Sequence, residues 1–421
     1  MCSNNEGGLT KFEPKPDLAL FRKCLKCDKN SVVVTRINDA MCKECFVEYF
    51  THKFRATIGK SKLFDKDEVV MFPYSSSDSS VAMLHLLFKG VGEEAKKKFT
   101  FKTICVYIED NYVFESNSST HERITFMENV KKSVEYSGFK FYYSLIENCL
   151  EPSKNIVSDE IAKLNLNNEN KEKFLNLINS CKNQTSKEEL LKRLKTQLIN
   201  RIAIELKIKK IIFPVSCTNL TIDMLTNVAL GKGAHLSIET SLEEKLSNGL
   251  VYVRPLRELT SKEIAFYNRY NNIDSNIMAK SSSLKNLPNS TIYRLTEKFI
   301  NSLQNEYPTT VPTIFRTSDK LTPTDELCPE DSCMLCELPV DTIKKISANS
   351  SAINDLEYSL SISRLDNTAI EKLFVLKSVC YSCSVVLKDV GGHGNLPQTI
   401  KDKIKSRDNL KDKIKEFLIE D

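Results

Sequence analysis

Eight of the chain's 14 cysteines fall into four Cys-x-x-Cys pairs. Such a pair can form a tight knuckle that aims two thiolates at one ion, and two knuckles complete the tetrahedral sulfur set that zinc accepts. Cys24 and Cys27 are followed, after fourteen residues, by Cys42 and Cys45. Cys333 and Cys336 are followed, after 43 residues, by Cys380 and Cys383. Closure entropy grows only slowly with loop length, so the longer excursion does not prevent a shared ion. Each set is expected to hold one structural zinc. Cys328, five residues before Cys333, is an alternative ligand that reads as a spare thiol. Thioredoxin-like redox chemistry also uses Cys-x-x-Cys. None of these pairs reads as the end of an apolar strand entering a helix, which sets that chemistry aside. Cys105, Cys149, Cys181 and Cys217 stand alone, and Cys105 lies in an apolar run expected to be core.

A second candidate lies between Phe72 and Val81. Val69-Val70-Met71-Phe72 reads as a buried strand, and a helix is expected from Val81. Between them stands Pro73-Tyr74-Ser75-Ser76-Ser77-Asp78-Ser79-Ser80. A strand, a small-residue loop and a helix N-terminus make an anion cradle. ATP pyrophosphatases of the PP-loop type place Ser-Gly-Gly-x-Asp-Ser there. Asp78 and Ser79 match the end of that pattern, but Ser75 and Ser76 replace its glycines and Tyr74 its first serine. A Cβ in a left-handed conformation costs about 1–2 kcal/mol per residue, so the serines are expected to distort or close the cradle. Ser75, Ser76, Ser77, Asp78 and Ser79 are therefore read as a vestigial nucleotide site, with ATP not expected on this chain. No catalytic residue is assigned.

Basic residues supply a third candidate. Lys53, Arg55, Lys60 and Lys62 interleave with Phe54 and Phe64 beside the first cysteine set. Phosphate neutralisation and base stacking need that mixture, so these four are candidates for RNA contact. The basic helix expected near 187–210 reads instead as a solvated face. The net charge of +5, from 60 basic and 55 acidic residues, does not by itself identify a nucleic-acid binder. The start of the chain has no basic-then-apolar leader pattern. No apolar run approaches the ~18 residues of a membrane helix. An intracellular, cytoplasmic protein is expected, with no membrane partner, and in a reducing compartment paired cysteines point to metal rather than disulfides.

The elements that must position these groups alternate. Apolar strands are expected at 68–72, 103–108, 139–145, 210–215 and 250–253. Helices are expected from 81, over 121–136, 186–206, 219–230 and 261–270, and near 291–305. Gly231 and Gly233 read as a helix stop, residues 150–184 as a helical insertion and 400–418 as a charged helix. Strands separated by helices predict a parallel sheet covered on both faces. Three domains follow: a four-cysteine zinc-ribbon module over 1–60, an α/β domain over 61–320, and a second four-cysteine zinc module with the charged helix over 321–421.

Further segments appear in a particular order: Leu225-Thr226-Asn227, Gly231-Lys232-Gly233, Arg254-Pro255-Leu256-Arg257, Ala265-Phe266-Tyr267-Asn268-Arg269, Phe315-Arg316-Thr317-Ser318 and Cys380-Tyr381-Ser382-Cys383. With the cysteine pairs and the serine loop, this order resembles the cytoplasmic tRNA 2-thiolation protein 2 family along nearly the whole chain. The resemblance implies a parallel-sheet, PP-loop ATP pyrophosphatase-like domain flanked by N- and C-terminal zinc-ribbon-like modules. It also implies a role in 2-thiolation of the wobble uridine of tRNA Lys, Glu and Gln. The implied partners are tRNA, a catalytic thiolase subunit forming a heterodimer, and a thiocarboxylated ubiquitin-related modifier as sulfur donor. Catalytic relatives carry Gly-His-Asn-x-Asp-Asp after the fourth strand, where this chain has Ser216-Cys217-Thr218-Asn219-Leu220-Thr221. They also carry a Cys-x-x-Cys inside the α/β domain, and none occurs here between 60 and 320. A partner without its own chemistry is therefore expected. The rivals are an ATP-dependent tRNA sulfurtransferase in its own right, and a zinc-ribbon RNA-binding scaffold unrelated to thiolation.

Overall fold

The computed structural model describes residues 22–35, 39–60, 63–92, 98–113, 119–152, 155–273, 291–321, 328–340, 379–390 and 396–403. The chain divides into two compact units, Met1–Lys53 and Phe54–Asp421. The division into 1–60, 61–320 and 321–421 therefore stays a proposal.

In the first unit a two-residue ladder joins β1 (Val33–Val34) to β2 (Ala40–Met41), antiparallel. Helix α1 spans Lys43–Lys60. Phe46 and Phe50, four residues apart on one helix face, are fully buried with ring centroids 6.0 Å apart.

The second unit is built on a six-stranded sheet. Its strands are β3 (Val69–Tyr74), β4 (Lys102–Glu109), β5 (Lys140–Leu145), β6 (Lys210–Ile212), β7 (Glu243–Lys245) and β8 (Val251–Val253). Their spatial order is β5-β4-β3-β6-β8-β7. All neighbours are parallel except β7, which runs antiparallel to β8. Val70, Met71 and Phe72 are completely buried, as a central parallel strand requires.

The helices are α2 (Asp78–Val91), α3 (Thr120–Val134), α4 (Asn168–Asn179), α5 (Gln184–Glu205), α6 (Cys217–Ala229), the single turn α7 (Leu236–Glu239), α8 (Ser261–Tyr270), α9 (Ile292–Glu306) and α10 (Thr310–Ser318). A short antiparallel pair, β9 (Cys328–Ser332) and β10 (Pro339–Val340), flanks one cysteine pair, and α11 (Tyr381–Asp389) carries another. The expected insertion at 150–184 contains α4. Of the charged helix expected at 400–418, residues 398–403 are helical and the rest lies outside the described residues.

Edge strand β7 goes beyond the sequence expectation. Its Glu-Glu-Lys sequence carries no apolar signal. Glu244 is nonetheless buried there, because the Arg254 guanidinium donates to its carboxylate.

Two of the sequence segments meet at the end of α6. Gly231 takes φ 74°, and the N–H of Lys232 reaches the Asn227 carbonyl at 2.8 Å, closing a Schellman turn. A Cβ on Gly231 would stand 2.8 Å from the ring of Tyr381. The Gly-Lys-Gly and Cys-Tyr-Ser-Cys segments thus face each other across about 150 residues of chain because one side is bare. Arg257 works similarly: it donates to the Thr240 carbonyl at 3.1 Å, pairs with Asp319, and lies 4.8 Å over the Phe315 ring.

Candidate metal centres and the serine loop

The sulfurs of Cys24, Cys27, Cys42 and Cys45 lie within 4.8 Å of one another, and so do those of Cys333, Cys336, Cys380 and Cys383. Cys27 and Cys42 are 3.6 Å apart, Cys27 and Cys45 3.7 Å, and Cys336 and Cys380 3.8 Å. A tetrahedral ion with metal–sulfur bonds of about 2.3 Å sets its sulfurs roughly 3.8 Å apart. These separations match that ion and are far beyond a disulfide bond of about 2.04 Å. The donor sets therefore fit zinc, and the eight cysteines would be its ligands. Among the described residues no other such group of three or more Cys, His, Asp or Glu occurs. The side chain of Cys328 lies outside the described residues.

Local backbone shapes each knuckle. The Cys24 N–H bonds the Lys29 carbonyl at 2.9 Å, turning the first knuckle back on itself. Cys42 follows β2 and Cys45 sits in the first turn of α1, while Cys380 caps α11 and Cys383 follows within it. The expectation that no pair sits at the end of a strand leading into a helix needs correction for Cys42 and Cys45, which stand between β2 and the first turn of α1. The redox reading is still disfavoured, because each pair has a second pair within van der Waals reach.

Burial opposes ionisation of Cys24, but N–H groups of Cys42, Lys26 and Cys27 and a bond from Cys27 bring it down to about 6. Cys45, bonded to Cys42, is pushed up to about 12. A divalent ion bound by the four sulfurs would hold them as thiolates.

The second set is framed by α5. Arg193 Nη2 donates to Ser382 Oγ at 3.0 Å, inside the Cys380/Cys383 knuckle. Gln197 Nε2 donates to the Met334 and Leu335 carbonyls at 2.7 and 2.9 Å, inside the Cys333/Cys336 knuckle. Asn200 Nδ2 donates to Glu337 at 2.6 Å. Asp389 of α11 accepts from Asn183 and Ser186 at the start of α5. The sequence reading missed these contacts, taking 187–210 for a solvated basic face. Instead Arg193, Gln197 and Asn200 are each no more than 5% exposed.

The serine loop is closed by its own side chains. Ser75 and Ser80 hydroxyls are 2.8 Å apart, and Ser77 Oγ is 3.1 Å from each. The Ser75 N–H donates to Ser80 Oγ and the Ser80 N–H to Ser77 Oγ, both at 3.3 Å. Two backbone donors of a would-be phosphate cradle are therefore already engaged. Ser76 still takes the left-handed conformation, φ 55°, so the loop keeps part of a glycine-type path while serines fill it. Asp78 begins α2, and its carbonyl accepts from Asn268 Nδ2 at 3.0 Å, tying α8 to the loop. Ser79 is buried.

The start of α6 is likewise packed rather than open. Ser216 caps it, and Cys217 and Leu220 join Ile300, Val311 and Phe315 of α9 and α10 in one apolar cluster. Thr221 Oγ1 donates to the Cys217 carbonyl at 2.9 Å.

Lys53 lies 5.6 Å over the Tyr49 ring and Arg55 5.1 Å over the Phe99 ring, each half-buried. Lys62 and the side chain of Lys60 lie outside the described residues.

The architecture is that of a PP-loop-like α/β protein carrying two four-cysteine clusters. A model of the family described as cytoplasmic tRNA 2-thiolation protein 2 matches residues 291–385. The cytoplasmic tRNA 2-thiolation protein 2 of Danio rerio is 30% identical over 503 aligned residues, covering 100% of this chain and 99% of that protein. The Homo sapiens protein of the same name is 28% identical, over 92% and 90%. The chain belongs to this family, and its role lies in tRNA thiolation. Among solved structures, the U34-tRNA thiolase NcsA from Methanococcus maripaludis, with its [4Fe-4S] cluster, superposes with a TM-score of 0.51 at 17% identity, over 73% of this chain and 90% of that one. That likeness supports the fold.

Proposed function

We propose that this chain is the non-catalytic half of a cytoplasmic heterodimer that thiolates the wobble uridine of tRNA Lys, Glu and Gln. The partner supplies adenylation and sulfur transfer, drawing sulfur from a thiocarboxylated ubiquitin-related modifier. The observation that carries the reading is the serine loop. Its hydroxyls bond one another and two of its own N–H groups where a nucleotide's phosphates would need donors. The packed start of α6 agrees with it.

This chain's part is positional. The two cysteine centres, each holding one zinc, brace its surfaces, and Lys53, Arg55, Lys60 and Lys62 are proposed to meet tRNA phosphates. Orienting a bound reactant can remove several kcal/mol from a barrier, so a subunit without chemistry can be indispensable. Nucleoside analysis of tRNA from cells lacking the protein tests the role directly. Loss of 2-thiouridine is expected, and unchanged levels would refute the role. Calorimetry with ATP and magnesium tests the division of labour, since micromolar binding by the isolated chain would favour an enzyme in its own right.

A further inference from the structure

The second cysteine centre is framed by a helix that supplies none of its ligands. Arg193 and Gln197 stand one helical turn apart on α5, so they project from the same face. Each grips the inner residues of a different knuckle: Arg193 holds Ser382, between Cys380 and Cys383, and Gln197 holds the carbonyls of Met334 and Leu335, between Cys333 and Cys336. The separation of the two knuckles is therefore set by one turn of a helix that contributes no sulfur. Where the knuckles meet, Cys336 and Cys380 stand 3.8 Å apart, as a tetrahedral ion requires.

Arg193 has a second property. It is 4% exposed, and among the described residues its Nε and Nη1 have no hydrogen-bond partner. Its carboxylate contact among those residues is Glu189, at 2.9 Å. With Cys336 and Lys232 it lines a cavity of about 170 Å³. A divalent ion with four thiolates carries a net charge of −2, which is costly to bury without nearby positive charge.

We infer that Arg193 and Gln197 are positioning residues of the second cysteine centre: together they hold its knuckles at the span a divalent ion needs, and Arg193 offsets the charge of the filled site. This rests on the reading that the centre takes a divalent metal. Outer-shell partners of this kind typically change metal affinity about 10- to 100-fold.

The test uses the full chain in a Cys24→Ser/Cys27→Ser background, so that only the second centre can be loaded. Cobalt(II) is the probe, because its sulfur charge-transfer and ligand-field bands report tetrathiolate geometry. Affinity is read by competition with a chelator. Gln197→Leu and the paired Glu189→Gln/Arg193→Met, which leaves no buried carboxylate unpaired, should each release cobalt about 10- to 100-fold more readily. Arg193→Lys keeps the charge but loses the fork, and should fall between them and the parent. Denaturation of the metal-free proteins separates site from scaffold. Parent-like affinity and cobalt bands in all three variants would overturn the inference. So would equal destabilisation of the metal-free and loaded forms, which would make both residues merely structural. If the parent itself binds no cobalt at this centre, the metal reading fails first and the inference falls with it.

Discussion

Ser76 holds φ at 55°, a conformation that disfavours a Cβ. That conformation costs stability, so Ser76→Gly should stabilise the protein by about 1 kcal/mol, read from the denaturant midpoint. Glu109 offers a pH handle at the same scale. It is fully buried beside Arg123, whose Nε donates to it at 2.6 Å. Burial raises its carboxyl to about 7, with Arg123 opposing. The native state therefore holds a proton that the unfolded chain releases near its ordinary value of 4.5. The resulting stability is full below that ordinary value and is lost as pH rises through 7. Denaturation midpoints should fall between about pH 4.5 and 7 in the parent and flatten in Glu109→Gln. The strain at Ser76 was legible in the sequence, because it stands where the PP-loop pattern has a glycine. The burial of Glu109 was not, because it depends on Arg123, 14 residues further along the chain.

At the scale of elements, the strands and helices of the α/β domain could be read because each carries its own apolar rhythm. The pairing of distant segments could not. Helix α5 shows why: its lysines and arginines look like a solvated face, and what buries Arg193 and Gln197 arrives about 140–190 residues later in the chain. Strand β7 escaped because its Glu-Glu-Lys sequence has no apolar rhythm, and the burial of Glu244 depends on Arg254 at the exit of the next strand. Gly231 is the opposite case, a stop signal legible in advance whose second duty, receiving Tyr381, was not. Gly231→Ala should meet both a left-handed backbone and a ring at 2.8 Å. A loss of about 1–3 kcal/mol is expected. In a Tyr381→Ala background the same change should cost less, because only the backbone conformation remains at fault, and a double-mutant cycle measures the difference.

For the molecule as a whole, cysteine spacing alone located both centres, because four sulfurs in two knuckles have few other arrangements. The purified protein should carry two divalent ions, one per centre, by elemental analysis. Cys42→Ser should remove one and Cys333→Ser the other, each leaving its counterpart filled. Protons compete with metal for thiolates, so both ions should be released as pH falls. Structural zinc contributes about 10–16 kcal/mol of apparent binding energy in small fingers, so local unfolding should accompany each loss.

The two centres also differ in when they can exist. The ligands of the first are all present once residue 45 has been made. The second must wait for Cys383, roughly 340 residues later, which is on the order of twenty seconds to a minute at about 5–20 residues per second. For about the second half of that interval α5 is already synthesised, with Arg193 and Gln197 facing knuckles that have yet to emerge. A chain interrupted before Cys380 would lack one knuckle of the second cluster, so only molecules translated past Cys383 can complete it.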